Sequence, residues 1–289
     1  MAYVRAGDGI RLHYSESGRR SGPPVLMIQG LGADKHLWDL QRLALAPHYR
    51  TIALDNRGAG RSDRPFGGYS LEQMADDAIA VLDHAGVETA HVVGASMGGV
   101  IAQILAIERP DRVRSMTLAC TACRHHPWRM ELLEEWAEIA RTDGMGAMTK
   151  AAARWMIGPR SFRRISPAIG WFGPLAFARP AHAFIGQVEA ILDIDDAMAD
   201  RLGEITTPTL VMVGNQDILT PRGDSELLAD LIPTAELVVV SGAAHGFMVE
   251  HASTFNSTLL EFLGRVEAAR RPIDRTTDRS VGAARDRTG

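Results

Sequence analysis

Gly94-Ala95-Ser96-Met97-Gly98 is the stretch on which the reading of this chain turns. The run His91-Val92-Val93-Gly94-Ala95 before the serine reads as a buried strand. From Met97 to Glu108 small and apolar residues recur at helical spacing, and Pro110 follows. A serine on so sharp a strand-to-helix turn adopts a strained backbone, and the residues two before and two after it must lack side chains or they collide. Gly94 and Gly98 meet that demand. The turn lifts Oγ clear of the sheet, while the first N–H groups of the next helix point at any oxyanion formed there. The same five residues could instead be a serine N-cap at an ordinary turn, so the surroundings must decide.

Outward from the serine, the chain opens as a hairpin: Tyr3-Val4-Arg5, the turn Gly7-Asp8-Gly9, then Ile10-Arg11-Leu12-His13-Tyr14. Short apolar runs follow at Val25-Leu26-Met27-Ile28, Thr51-Ile52-Ala53-Leu54, Val92-Val93, Met116-Thr117-Leu118, Leu210-Val211-Met212-Val213 and Leu237-Val238-Val239-Val240. Runs without alternation indicate strands buried on both faces of a parallel sheet. Helical patterns lie between them. Ser70-Leu71-Glu72-Gln73 resembles a capping box, and Leu71, Met74, Ala75, Ala78, Ile79 and Leu82 form one apolar stripe. The expected fold is α/β: a doubly wound, mostly parallel sheet with its ligand crevice at the carboxyl ends of the strands.

The alternation stops near Cys123 and resumes at about Glu204, leaving helix-like segments with Trp128, Trp136, Trp155 and Trp171. The expected organisation is a core over residues 1–122 and 204–268, an inserted helical lid over 123–203, and a disordered tail over 269–289, where Arg and Asp replace apolar residues. Trp128, Trp136, Trp155 and Met156 are the candidate substrate-binding residues of that lid.

The 289 residues are 46% apolar, enough for one large core, and a net charge of −4 gives no electrostatic case for nucleic acid. The opening residues lack the apolar stretch of a secretory signal, and no run approaches the roughly 20 residues that span a bilayer. A cytoplasmic protein with no membrane partner is expected. Cys120 and Cys123, followed by His125 and His126, are too crowded to close a tetrahedron around one ion and do not open a helix as a redox pair would. They read as reduced packing cysteines, and neither a metal nor a cofactor is implied.

A serine hydroxyl needs a base to take its proton and a third group to orient that base. His245 lies just beyond Leu237-Val238-Val239-Val240, at the sheet edge that also carries Ser96. His36, His48, His84, His91, His182 and His251 fall on helices, at strand starts or in the lid. Asp217 lies just past Leu210-Val211-Met212-Val213, with Pro221 after it, whereas Asp193, Asp195 and Asp196 suit the polar face of a lid helix.

The order Ser96, Asp217, His245 resembles that of the α/β-hydrolase superfamily over about residues 3 to 265. Asp55-Asn56-Arg57-Gly58-Ala59-Gly60-Arg61-Ser62-Asp63, Pro208-Thr209-Leu210-Val211 with Gly214, and Gly242-Ala243-Ala244-His245 carry the likeness further. The resemblance implies an oxyanion hole from the backbone N–H groups of Leu31 and Met97. Family members usually have His-Gly where this chain has Gln29-Gly30-Leu31-Gly32, so Gln29 would anchor the loop by its amide instead. Dehalogenases and epoxide hydrolases of the superfamily use an aspartate at the elbow, which Ser96 argues against. The lid and Leu31-Gly32-Ala33-Asp34 with Trp38 resemble bacterial carboxylesterases, 3-oxoadipate enol-lactonases and cofactor-free haloperoxidases.

The resemblance implies a serine hydrolase acting on a small, largely apolar carboxylic ester through an acyl-enzyme. The alternative is an enol-lactonase or carbon–carbon bond hydrolase on the same residues. Arg124, Arg129, Arg154, Arg160, Arg163 and Arg164 would then hold a dianion. A ligand sensor retaining a slow triad is the non-enzymatic alternative.

Overall fold

The apolar runs form strands because each is covered on both faces. In the computed structural model, which describes residues 2–67, 69–159 and 180–270, the chain begins with the hairpin β1 (Ala2–Arg5) and β2 (Arg11–Gly18). It continues through β3 (Pro24–Ile28), α1 (Asp39–Leu45), β4 (Arg50–Asp55), α2 (Leu71–His84) and β5 (Ala90–Ala95). Then come α3 (Met97–Glu108) and β6 (Val113–Ala119). Among the described residues, α4 (Pro127–Thr142), α5 (Met145–Met156), α6 (Ala181–Leu192) and α7 (Ala197–Asp200) precede the next strand. The chain closes with β7 (Thr209–Gly214), α8 (Arg222–Leu231), β8 (Ala235–Val240), α9 (Phe247–Glu250) and α10 (Ala252–Arg270).

The sheet order is β1-β2-β4-β3-β5-β6-β7-β8, with only β2 running against its neighbours. Alternate residues of one strand feed opposite cores. Leu26, Ile28, Val92 and Met116 pack with α2 and α3, whereas Val25, Met27, Val93 and Met212 pack with Trp38, Phe255, Leu259 and Phe262. Both halves of the period-two pattern are apolar, hence the unbroken runs. After β3 the chain turns to β4 on one side and later to β5 on the other. A reversal of this kind is where open α/β sheets generally carry their ligand crevice, at the carboxyl ends of the strands.

Between β6 and β7, α4, α5 and α6 bury a core of their own that includes Leu132, Leu133, Trp136, Met148, Phe184 and Val188. Leu219 from the loop after β7 enters that core, and Leu31 from the loop after β3 packs against it. The insertion therefore rests on two of the loops that border the crevice.

Two local expectations change. Ser70 Oγ accepts from Gln73 N–H at 3.1 Å, but Gln73 turns its side chain to Asp8 at 2.8 Å, so the box forms by half. The last helix also runs beyond Arg265 to Arg270, past the expected start of the tail. Glu267 fixes that final turn to the sheet by lying 3.1 Å from His91 Nε2 and 3.5 Å from Arg114. The remainder of the expected tail, 271–289, lies outside the described residues.

Candidate active site

Ser96 is the one residue between β5 and α3, at φ 53° and ψ −121°, a backbone that L-residues rarely adopt. Its surroundings hold it there. Ser96 N–H donates to Ala119 O at 2.9 Å, and Ser96 O accepts from Thr121 Oγ1 at 2.8 Å and from Gly99 N–H at 2.8 Å. A Cβ on Gly94 would strike the Gly98 carbonyl, and one on Gly98 would strike the Ile28 carbonyl. The glycines are thus required by close backbone approach, and the helix they admit presses its first turn against the end of β3.

The turn after β3 lies beside the serine. A Cβ on Gly30 would fall 2.9 Å from Ser96 Cβ and 3.5 Å from Ser96 Oγ. Ala33 N–H closes the turn onto Gly30 O at 3.2 Å, and Gly32 takes φ +68°. Leu31 has no positive φ, so the geometry is that of a type II turn, which demands glycine at its third position. Neither Leu31 N–H nor Met97 N–H finds an acceptor among the described residues. Gln29 does serve the loop through its amide: Oε1 accepts from Gly30 N–H at 3.2 Å, while Asn56 holds the Gln29 carbonyl at 2.9 Å.

Asp217 and His245 follow β7 and β8, whose end loops are laced together. Asn215 N–H donates to Val240 O at 3.0 Å, Gln216 N–H to Ala243 O at 2.8 Å, and Gly242 N–H to Asn215 Oδ1 at 2.7 Å. This lacing sets His245 Nδ1 2.9 Å from Asp217 Oδ2. Leu219 N–H and Thr220 N–H donate to Asp217 Oδ1 at 2.9 and 3.0 Å, and Thr220 Oγ1 donates to Oδ2 at 2.9 Å. Burial alone would push the Asp217 carboxyl up; the attraction of His245 and these hydrogen bonds outweigh it and hold the carboxyl below its ordinary value. An ionised carboxylate only accepts, so Nδ1 carries the proton and Nε2 is left as the basic nitrogen.

The insertion treats its aromatic residues unequally. Trp136 was expected to meet substrate; it is 3% exposed inside the insertion's own core. Trp128 is 39% exposed and stacks with Trp155 at 6.1 Å and with His126 at 6.2 Å. Met156 is half-buried at the end of α5, where its carbonyl accepts from Gly246 N–H at 2.6 Å. Arg124 pairs with Asp200 at 3.2 Å, Arg129 with Asp224 at 2.6 Å, and Arg154 lies over Trp155. Trp171, Arg160, Arg163 and Arg164 lie outside the described residues.

Cys120 and Cys123 are free and buried, and burial pushes both thiols up, that of Cys123 to about 11. His125 and His126 turn to Ile194 O and Asp224 instead. Sequence reasoning passed over Thr220 and Gln187, and offered Arg129 for a dianion, whereas it pairs with Asp224. Thr220 was within reach as the hydroxyl three residues after Asp217. Gln187 was marked only by being a polar residue on an otherwise apolar helix face.

A serine turn after the third parallel strand of a sheet in this order is the architecture of the α/β hydrolases. Residues 23–152 match the family model described as alpha/beta hydrolase fold. The protein named carbamate hydrolase RutD in Azorhizobium caulinodans is 34% identical over 272 residues, 92% of this chain and 100% of its own. The chain belongs to the α/β-hydrolase superfamily and is a hydrolase. Among solved structures, the enol-lactonase from Burkholderia xenovorans LB400 superposes with a TM-score of 0.84 at 29% identity, covering 91% of this chain and 100% of that one. A thermophilic esterase from Thermogutta terrifontis does so at 0.83 and 28% identity, covering 92% and 98%. No described helix is long and apolar enough to cross a membrane.

Proposed function

We propose that the chain hydrolyses a carboxylic ester of a small, largely apolar substrate through an acyl-enzyme, with Ser96 as nucleophile, His245 as base and Asp217 as its orienting acid. The observation that carries this reading is the 2.9 Å bond from His245 Nδ1 to Asp217, on the sheet edge that also carries the strained serine. His245 Nε2 takes the Ser96 Oγ proton as Oγ bonds to the acyl carbon, and the carbonyl oxygen becomes an oxyanion held by Leu31 N–H and Met97 N–H. Collapse of that adduct breaks the bond to the leaving alcohol, which receives the proton from Nε2. Water then attacks the acyl-enzyme, giving its proton to the same nitrogen and releasing acid and free serine. Asp217 stays ionised and stabilises the imidazolium.

Trp128 and Trp155 offer apolar area over the site, where each buried methylene contributes about 0.8 kcal/mol. Arg124 and Arg129 are already paired with acids, which favours an apolar acyl or alkyl part over a dianion. The likeness to an enol-lactonase supports a lactone as the second reading, and the name of the RutD relative a carbamate; both use the same attack on a carbonyl. A panel of p-nitrophenyl esters of graded length, a lactone, an aryl ester and an aryl carbamate ranks these substrates. Ser96→Ala should abolish turnover and fluorophosphonate labelling while leaving the fold intact. Labelling with a single turnover would instead support a ligand sensor, and a folded wild type that neither labels nor turns over would overturn the reading.

A further inference from the structure

The turn that carries Leu31 is held from outside the sheet. Gln187, on α6 of the insertion, is 1% exposed; its Oε1 accepts from Gly32 N–H at 2.8 Å and its Nε2 donates to Arg57 O at 2.7 Å. Phe184 lies one turn earlier on the same helix face, and a Cβ on Gly32 would meet its ring at 3.2 Å. Helix α6 therefore grips the turn with one apolar and one polar side chain, three residues apart. Gly32 N–H belongs to the central peptide of the turn. Type I and type II turns differ by a flip of that peptide, and an acceptor fixed at Gly32 N–H selects one of the two orientations. Leu31, whose N–H is proposed to bond the oxyanion, is the first corner of this turn, so the grip on the Gly32 peptide fixes the corner that carries it.

We infer that Gln187 is a positioning residue for the oxyanion hole, acting through the Gly32 peptide; this rests on the hydrolytic reading of Ser96 given above. The insertion touches the other two catalytic loops in a similar way. Arg129 Nη1 donates to Leu219 O at 3.2 Å beside Asp217, and the Met156 carbonyl receives Gly246 N–H beside His245. Gln187 differs from these in that its target adjoins a group proposed to bond the oxyanion itself. Its loss should therefore appear in the transition state rather than in substrate affinity.

Gln187→Met keeps the volume and removes both hydrogen bonds. Its kcat should fall about 10- to 100-fold, since oxyanion donors lose their effect with small displacements, while KM stays within about twofold. The rate of fluorophosphonate labelling should fall in parallel, because the phosphonyl oxygen takes the oxyanion's place. Gln187→Glu supplies a second readout. Ionised, its carboxylate opposes the Arg57 carbonyl; protonated, it accepts at one oxygen and donates from the other as the amide does. Its activity relative to wild type at the same pH should therefore rise as pH falls. A Gln187→Met enzyme with unchanged kcat and labelling overturns the inference, as does a loss confined to KM, or a Gln187→Glu ratio flat with pH. A wild type that never labels overturns the hydrolytic reading beneath it, a result distinct from all of these.

Discussion

Two buried aspartates in this protein each hold a histidine by Nδ1 at 2.9 Å, and their surroundings differ. Asp217 holds His245, while Asp55, at the end of β4, holds His13 on β2. The difference lies in what else reaches the carboxylate. Asp55 Oδ2 also takes Lys35 Nζ at 2.8 Å and Arg61 N–H at 3.1 Å, and Oδ1 takes Lys35 N–H at 3.0 Å. Its charge is matched by a buried ammonium, and burial, aided by Lys35, holds the His13 imidazole below its ordinary value and so neutral. Among the described residues Asp217 has no Lys or Arg partner, only hydrogen bonds and His245. A charge left unmatched is available for an imidazolium that forms during reaction, whereas a charge already matched serves only to hold strands together. The contact is the same in both pairs; the countercharge is what separates the pair proposed to be catalytic from the one that joins strands.

Exchanging the roles by mutation should break this contrast if it is wrong. His245→Ala should cost about four orders of magnitude or more in kcat with little change in melting temperature. His13→Ala should lower the melting temperature and leave kcat of the folded protein within a few-fold; loss of activity in both would erase the distinction. Next in size, Lys35→Met strands a buried carboxylate and should cost about 3–5 kcal/mol in urea unfolding, again with the chemistry nearly intact. Thr220→Val removes one donor from the Asp217 oxygen that faces His245. It should lower kcat/KM about tenfold, the equivalent of one net hydrogen bond to a charged group, without the stability loss of the lysine variant.

The smallest effects concern acid. His13 and His91 are both held below their ordinary values, in each case chiefly by burial, so the folded state disfavours their protonated forms. Each of them makes the fold lose stability as pH falls through the ordinary histidine value, about 6.5. Asp55 and Asp217 lie below the ordinary carboxylate value, because hydrogen bonds and cations outweigh burial. Their stabilisation is complete above about pH 4 and disappears as pH falls below it. Urea unfolding against pH should therefore decline in two stages, and His91→Asn should shrink the upper stage and leave the lower one unchanged, with His13 keeping the remainder of the upper stage. A single decline below pH 4 in the wild type would contradict the histidine assignment.

The places of Ser96, Asp217 and His245 beyond β5, β7 and β8 were legible because each follows an apolar run, and a strand end in a parallel sheet fixes which edge a residue occupies. The same logic did not supply Lys35, the buried partner of Asp55, which opens a single short 3-10 turn too brief to show a pattern of its own. Gln187 was out of reach because its partner, Gly32, is 155 residues away in sequence, and only packing of the insertion brings them together. The burial of Trp136 was out of reach for a related reason. A tryptophan at helical spacing looks the same whether its helix face meets a ligand or two other helices, and α4 meets α5 and α6. Helix α10 outlasted its apolar pattern because Glu267 is anchored to His91 and Arg114, a contact across the sheet that local composition does not encode.

The insertion occupies a connection whose length the sheet leaves free. Strands β6 and β7 are parallel neighbours, with Leu118 opposite Val211, so the chain must in any case travel from the top of one to the foot of the other. Doubling the length of a flexible connection adds only about 0.6 kcal/mol of closure entropy. A lineage can therefore lengthen, shorten or replace this passage over generations while the strands beneath keep their register. What descent cannot discard so freely is the handful of polar side chains by which a newcomer takes hold of the loops below. A transplanted passage that lacks them would fold and cover the crevice, yet leave the chemistry slack.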